Sequence, residues 1–245
     1  TAARLRRVDE KSQIILFERG DYISYANCGL PYYIGGEIKE RDKLFVQTPL
    51  SFGKRFNVDI RVRQEVVKII PETKTVEIKK LDTNEIYKET YDKLVLSPGA
   101  SPIKPPIPGI DSERIFTLRN VPDTDKIKDF IDKNIPKRVV IVGAGFIGLE
   151  MAENLHNKGI FVTIVEMANQ VMNVIDYEMA AAVHQHLKSK NVEFYLKDGV
   201  TKFTERSDKR IMVSLSSGKE ILTDMVVLSI GVKPENFLAK EANLK

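Results

Sequence analysis

A chain of 245 residues, 42% hydrophobic and 29% charged, has material for one large globular domain or two of roughly 120 residues, and two is the reading adopted. No apolar run approaches the ~20 residues of a membrane span, and 38 Lys and Arg alternate with 34 Asp and Glu, so the net charge of +4 describes solvated faces and excludes a nucleic-acid stripe. One cysteine excludes an intrachain disulfide, a CxxC dithiol and a thiol-only zinc site, and fits a reducing cytoplasm. His184 and His186, two apart on a predicted helix, point in different directions, so an exposed helix face is expected and a metal pair is not.

In chain order, residues 1–10 read as the rear half of a helix, with Ala2, Leu5 and Val8 on one face and Arg4, Arg6 and Arg7 around the other. The opening TAARLRR lacks an initiator Met and suggests a cut fragment. Ile14 to Phe17 then run apolar into Glu18-Arg19-Gly20, a strand closed by an acid. In DYISYANCGLPYYIGG a short helix is expected, starting at Asn27 or Cys28, with Pro31 in its first turn and Gly35-Gly36 as its stop. A helix amino end favours a reactive thiolate. An isolated cysteine is also commonly a small buried hydrophobe, and on position alone both readings of Cys28 stand.

A helix is expected over residues 49–56 and a strand over 58–62. Short runs at 66–70, 75–79 and 85–90, beginning with Val66, predict an antiparallel meander, and 93–96 a return to a core strand ending at the Ser97-Pro98-Gly99 turn. SPIKPPIPG, with four prolines, suits a stiff linker. Residues 115–119 form an edge segment, and Pro122-Asp123 open a helix carrying Ile127, Phe130 and Ile131 inward.

The most informative stretch is KRVVIVGAGFIGLEMAENLHNKGIFVTIVE, residues 137–166. An apolar strand runs into Gly143, Gly145 and Gly148; in a βαβ unit these allow the tight turn, the approach of backbone N–H groups to a pyrophosphate, and close packing of helix on strand. Ile147, Met151 and Leu155 form an apolar stripe, Lys158-Gly159 stop the helix, and a second strand leads to Glu166. Glu166 stands where an acid accepts hydrogen bonds from both ribose hydroxyls of NAD and repels the 2′-phosphate of NADP. Helix, strand and Glu18 at the front repeat the last two-thirds of this unit, so a second dinucleotide fold is expected, its first strand and glycine turn lying upstream of Thr1. Beyond Glu166 come an Asp176-capped helix burying Met179, Val183 and Leu187, a third parallel strand at 192–196, an antiparallel meander at 200–222, and a core strand ending at Gly231. The fold class is therefore α/β: two related Rossmann-like dinucleotide-binding domains, 1–103 and 104–245, each with a parallel sheet and a small antiparallel insertion.

Through SYANCGLPYYIGG, LVLSPGA, VGAGFIGLE and LSIGVKPE the whole chain resembles the pyridine nucleotide-disulfide oxidoreductases, in particular their single-cysteine branch of coenzyme A-disulfide reductases, including rhodanese-fused forms acting on persulfides. The resemblance implies FAD in the first domain and NADH, less often NADPH, in the second, with Cys28 against the flavin. It places Glu18, Arg19 and Val66 on FAD, Ser97, Pro98 and Gly99 along the flavin site, and Gly231 at a cofactor. Phe146, Ile147 and Glu150 would lie near nicotinamide and flavin, and Arg4, Arg7, Ser24 and Asn27 would contact coenzyme A as substrate or bound thiol. It further implies a homodimer, and a parent enzyme that is longer: the FAD glycine turn at the front, and a Gly-Asp FAD segment and dimerisation domain at the back, lie outside this sequence, so the fragment alone should not turn over. With one sulfur, the redox partner of Cys28 must come from a ligand or be replaced by an oxidised cysteine. An NADH oxidase or peroxidase cycling through a sulfenic acid, and a non-catalytic redox sensor, are the alternatives.

Overall fold

The computed structural model describes residues 1–244. Two compact units are present, and both are discontinuous in sequence: one comprises Thr1–Ala26, Asp42–Ala100 and the chain from Pro234 on, the other Asn27–Arg41 and Ser101–Lys233. The division expected at 103/104 thus misses two exchanges. The cysteine segment belongs with the second unit, and the C-terminal helix Phe237–Glu241 with the first.

In the first unit the strand Ile15–Glu18 pairs in parallel with Asp59–Val62. The expected meander forms from Gln64–Ile70, Thr75–Lys80 and Ile86–Thr90. Its core of Ile69, Val76 and Ile78 is joined by Phe17, Val66, Tyr87, Tyr91, Leu96, Leu238 and Ala242. The helix Pro49–Phe56 starts at a capping box of Thr48 and Ser51. Arg6 closes its far end, donating through Nε to Phe56 O (2.9 Å) and through a terminal nitrogen to Asn57 O (2.8 Å), so one of the three helix arginines caps backbone carbonyls. The helix Ala2–Val8 buries nothing: Leu5 and Val8 are exposed. The strand expected over 93–96 does not form. Residues 94–99 have no ladder partner among the described residues and Val95 is 59% exposed, and an apolar run without a neighbour to receive its N–H and C=O groups is not a strand.

The second unit is built on a five-stranded parallel sheet in the order Glu193–Leu196, Phe161–Glu166, Arg138–Val142, Met225–Leu228, Ile115–Thr117. The central strand is buried on both faces. Val140 and Val142 join Phe203, Ile211, Val213 and Leu215 of the antiparallel insertion Val200–Glu205, Ile211–Leu215, Glu220–Thr223 in one core. Strand alternation turns Val139 and Ile141 to the opposite face. The helix Phe146–Asn157 buries Gly148, Met151, Ala152 and Leu155, whereas Ile147, expected in that stripe, is exposed. It ends in a Schellman motif, with Gly159 at φ 80° and Ile160 N donating to Leu155 O. The helix Val121–Asn134, capped by Asn120, buries Ile127 and Ile131 as expected; Phe130 stays half-buried against the Phe116 ring.

The helix Tyr177–Ser189 keeps Leu187 of its expected stripe but buries Ala180 and His184 in place of Met179 and Val183. Ala180, His184 and Leu187 are buried, while Met179 is 64% exposed. The reason is His184: its ring stacks on Phe194 at 5.3 Å and its Nε2 accepts the Val171 N–H at 3.1 Å, a bond that an exposed helix face could not make. Among the described residues no helix is long and apolar enough to cross a membrane.

Burial, and secondarily Lys188, pushes the His184 pKa below its ordinary value of 6.5. A lowered histidine pKa gives stability that is full above the unfolded value and lost as pH falls through and below it, because protonated Nε2 cannot accept the Val171 N–H. The wild-type melting temperature should fall by a few degrees between about pH 7.5 and about pH 5.5, and less in His184→Gln. Parallel pH profiles for the two proteins would remove His184 from this account.

Candidate functional site

At the carboxyl end of the Arg138–Val142 strand the chain turns at Gly143, φ 98°, where a Cβ would meet Ser229 O at 2.5 Å. A Cβ on Gly148 would lie 2.0 Å from Gly143 O. These two glycines are required by contact of chain on chain. Gly145 is different: no atom lies within 4 Å of the Cβ it lacks. The space in front of the turn is open, and the twelve-residue helix that follows has no side-chain cap on its first N–H groups. Open space and uncapped donors fit the pyrophosphate of a dinucleotide. The Ser229 hydroxyl fastens the turn from behind, within 3.1 Å of both Val142 O and Gly143 O.

Glu166 ends the neighbouring strand. Its Oε2 accepts from Ala144 N at 2.7 Å and its Oε1 from Ala168 N at 2.8 Å. A carboxylate oxygen has two lone pairs, so each keeps one with which to accept a further hydrogen bond. Beside it a cavity of about 470 Å³ is lined by Asn169, Tyr177, Leu196 and Lys197, and Leu196 is the ladder partner of Glu166. Phe146 is 62% exposed at the mouth of the turn. Glu150, half-buried one helical turn further on, has its pKa raised, by burial first and then by the Glu153 carboxylate.

Cys28 lies in the single 3₁₀ turn Asn27–Gly29, ahead of the helix Leu30–Gly35. It is exposed, which removes the buried-hydrophobe reading. Three contacts hold its segment on the second unit. Gly35 lies so close to Asn154 of the glycine-turn helix that a Cβ would sit 2.2 Å from Asn154 Oδ1. Arg41 makes a two-pronged ion pair with Asp125 at 2.7 and 2.9 Å. Lys128 sits over the Tyr33 ring at 5.3 Å. Asn27 is exposed beside the cysteine.

The first unit holds Glu18, whose Oε1 accepts from Gly20 N at 2.6 Å, as Glu166 accepts from Ala168 N. Arg19 pairs with Glu65 at 3.6 Å and Val66 packs into the meander core. Glu18 thus ends its strand with the same local carboxylate–backbone bond as Glu166, and residues 1–14 contain no glycine. Ser97, Pro98 and Gly99 are exposed, with Gly99 at φ 75° and Glu235 N donating to its carbonyl. Arg4 and Arg7 are exposed with no hydrogen-bonding or ionic partner among the described residues, whereas Ser24 is half-buried in a short ladder with Gln47. Gly231, φ 114°, belongs to the second unit and accepts from Ile103 N.

Residues 1–245 match the pyridine nucleotide-disulphide oxidoreductase family. This chain belongs to that family. It is 35% identical over 243 residues to the coenzyme A disulfide reductase of Staphylococcus haemolyticus, covering 99% of this chain and 53% of that protein. Its fold matches the crystal structure of reduced Bacillus anthracis CoADR-RHD with a TM-score of 0.96 and 59% identity, over all of this chain and 43% of the other. It also matches the NAD-dependent persulfide reductase from A. fulgidus, with a TM-score of 0.94 and 37% identity over 100% and 45% of the two chains. The chain spans about half the length of the curated relatives it matches. Sequence reasoning missed the roles of Arg6, Ser229, Asn154 and Asp125. Each acts on backbone or on a distant segment, and a single sequence carries no signal for such pairings.

Because Gly145 is open and Gly148 is not, the two should separate on substitution. Gly145→Ala should keep the wild-type melting temperature while weakening NADH binding by about tenfold or more, and Gly148→Ala should lose stability and binding together. Differential scanning fluorimetry beside an NADH titration reads both. A Gly145→Ala protein with unchanged NADH affinity would contradict the pyrophosphate assignment.

Proposed function

We propose that the chain is the dinucleotide-binding and redox-cysteine portion of a flavin-dependent reductase, passing electrons from NADH through FAD to Cys28 and on to a coenzyme A disulfide or persulfide. The observation that carries the reading is the exposed Cys28 turn, held through Gly35 and Asn154 on the same helix that opens the dinucleotide turn. In this reading the unit of Thr1–Ala26, Asp42–Ala100 and the chain from Pro234 on supplies most of an FAD-binding domain, and the unit of Asn27–Arg41 and Ser101–Lys233 most of an NADH-binding domain, of a cytoplasmic homodimer.

When bound, NADH supplies a hydride and FAD relays the electron pair to sulfur. The protein's own contribution is to bind, orient and exchange sulfur. The turn at Gly143, Gly145 and Gly148 would receive the pyrophosphate, Glu166 would accept from the two ribose hydroxyls and disfavour a 2′-phosphate, and Phe146 would gate the nicotinamide. The Cys28 thiolate attacks the substrate disulfide, forming a Cys28–sulfur bond to one coenzyme A and releasing the other as thiolate. Two electrons and a proton then break that bond, freeing the second coenzyme A thiol and restoring the thiolate. Exposed and with no hydrogen-bonding or ionic partner among the described residues, Arg4 and Arg7 are suited to the phosphates of coenzyme A, and Ser24 and Asn27 would contact it as well. Similarity to a coenzyme A disulfide reductase and to a persulfide reductase supports this substrate class over oxygen.

The intact mass of the purified full-length protein should drop by one coenzyme A per Cys28 on treatment with dithiothreitol. Cys28→Ser should lower thiol-dependent NADH oxidation by at least about a thousandfold while leaving NADH binding in place. Oxygen consumption without any thiol requirement would favour the oxidase, and tight NADH binding with no turnover on any acceptor would favour a sensor.

A further inference from the structure

Asp198 is a carboxylate that the reaction does not use, yet it is only 7% exposed and has four donors. Its Oδ1 accepts from Gly199 N (3.0 Å), the Ser216 hydroxyl (2.7 Å) and Ser217 N (3.1 Å), and its Oδ2 from the Ser217 hydroxyl (2.6 Å). Those serines form the turn between the last two strands of the antiparallel insertion. In the other direction Asp198 N donates to Glu166 O at 3.2 Å, and its neighbour Lys197, held at φ 56°, donates from N to Ala168 O at 2.8 Å. Ala168 N in turn donates to Glu166 Oε1. The side chain of Asp198 is thus tied to the insertion, while its backbone and that of Lys197 fix the main chain at Glu166 and two residues beyond it, at Ala168. The same segment, Leu196 and Lys197, forms a wall of the cavity beside Glu166.

We infer that Asp198 is a positioning residue for nucleotide selectivity, locking the Ser216-Ser217 turn to the 196–198 segment so that Glu166 meets the adenosine ribose of NADH and rejects the 2′-phosphate of NADPH. The inference rests on the reading of Glu166 as the ribose acid. Removing the carboxylate frees the segment, and Glu166 loses the fixed frame by which it tells a hydroxyl from a phosphate. Loss of fold would weaken both nucleotides alike, so the ratio of the two affinities isolates the positioning role.

The test measures Kd for NADH and for NADPH by nucleotide fluorescence on the full-length holoprotein, for wild type, Asp198→Ala, and the milder Ser217→Ala, which removes one of the four donors, the Ser217 hydroxyl, and guards against misfolding. NADH affinity in Asp198→Ala should fall by about tenfold with NADPH affinity changing much less, and Ser217→Ala should shift the ratio in the same direction by about two- to threefold. An unchanged ratio in a folded variant, whether both affinities fall together or neither moves, overturns the inference with the ribose reading intact. If Glu166→Ala likewise leaves the wild-type ratio unchanged, the ribose reading itself has failed and the inference with it.

Discussion

The close approach of helix to strand at the glycine turn governs the second unit. With Gly148 pressed onto the Gly143 carbonyl and Gly143 onto the Ser229 carbonyl, any side chain at either place would push the helix off the sheet. Bare backbone lets the first turn of the helix come down against the strand end, so its uncapped N–H groups face the open space at Gly145. Sheet register then fixes the rest. The strand ending at Glu166 lies beside this one, and the strand ending at Leu196 beside that, so acid, turn and cavity wall lie at the carboxyl ends of three adjacent strands, where open α/β sheets bind ligands.

The same helix carries a second duty on its outer side. Asn154, only 1% exposed, receives the Gly35 backbone, and the helix at whose start Cys28 lies is anchored there rather than in the unit that contains Glu18. Two further ties, Arg41 to Asp125 and Lys128 to Tyr33, join the segment to the neighbouring Val121–Asn134 helix. A cysteine exposed to solvent but mounted on a firmly packed segment can meet a substrate sulfur without loss of geometry.

Much of this was legible in the sequence because glycine spacing, apolar runs and terminal acids each express a local physical requirement. The turn at 143–148, Glu166, both antiparallel insertions and the helix over 49–56 follow from such rules. What escaped depended on neighbours. Residues 93–96 have a strand's composition but no ladder to join; Met151, Leu155 and Leu187 are buried as expected, but Ile147 and Met179, at the first turns of their helices, are exposed. His184 was read as a solvent-facing residue because nothing in its own helix reveals that Val171, in a preceding loop, needs an acceptor. The discontinuous units escaped for the same reason: a segment's packing partner is set by contacts such as Gly35 with Asn154, far apart in sequence.

The central claim is that Cys28 alternates between a sulfur bonded to a thiol ligand and a free thiolate, driven by NADH. Alkylation of the full-length enzyme with iodoacetamide, followed by peptide mass mapping, reads that alternation at the residue itself. The account predicts that Cys28 resists labelling in the oxidised enzyme and is labelled after anaerobic addition of NADH. Full labelling before NADH, or none after it, would contradict it.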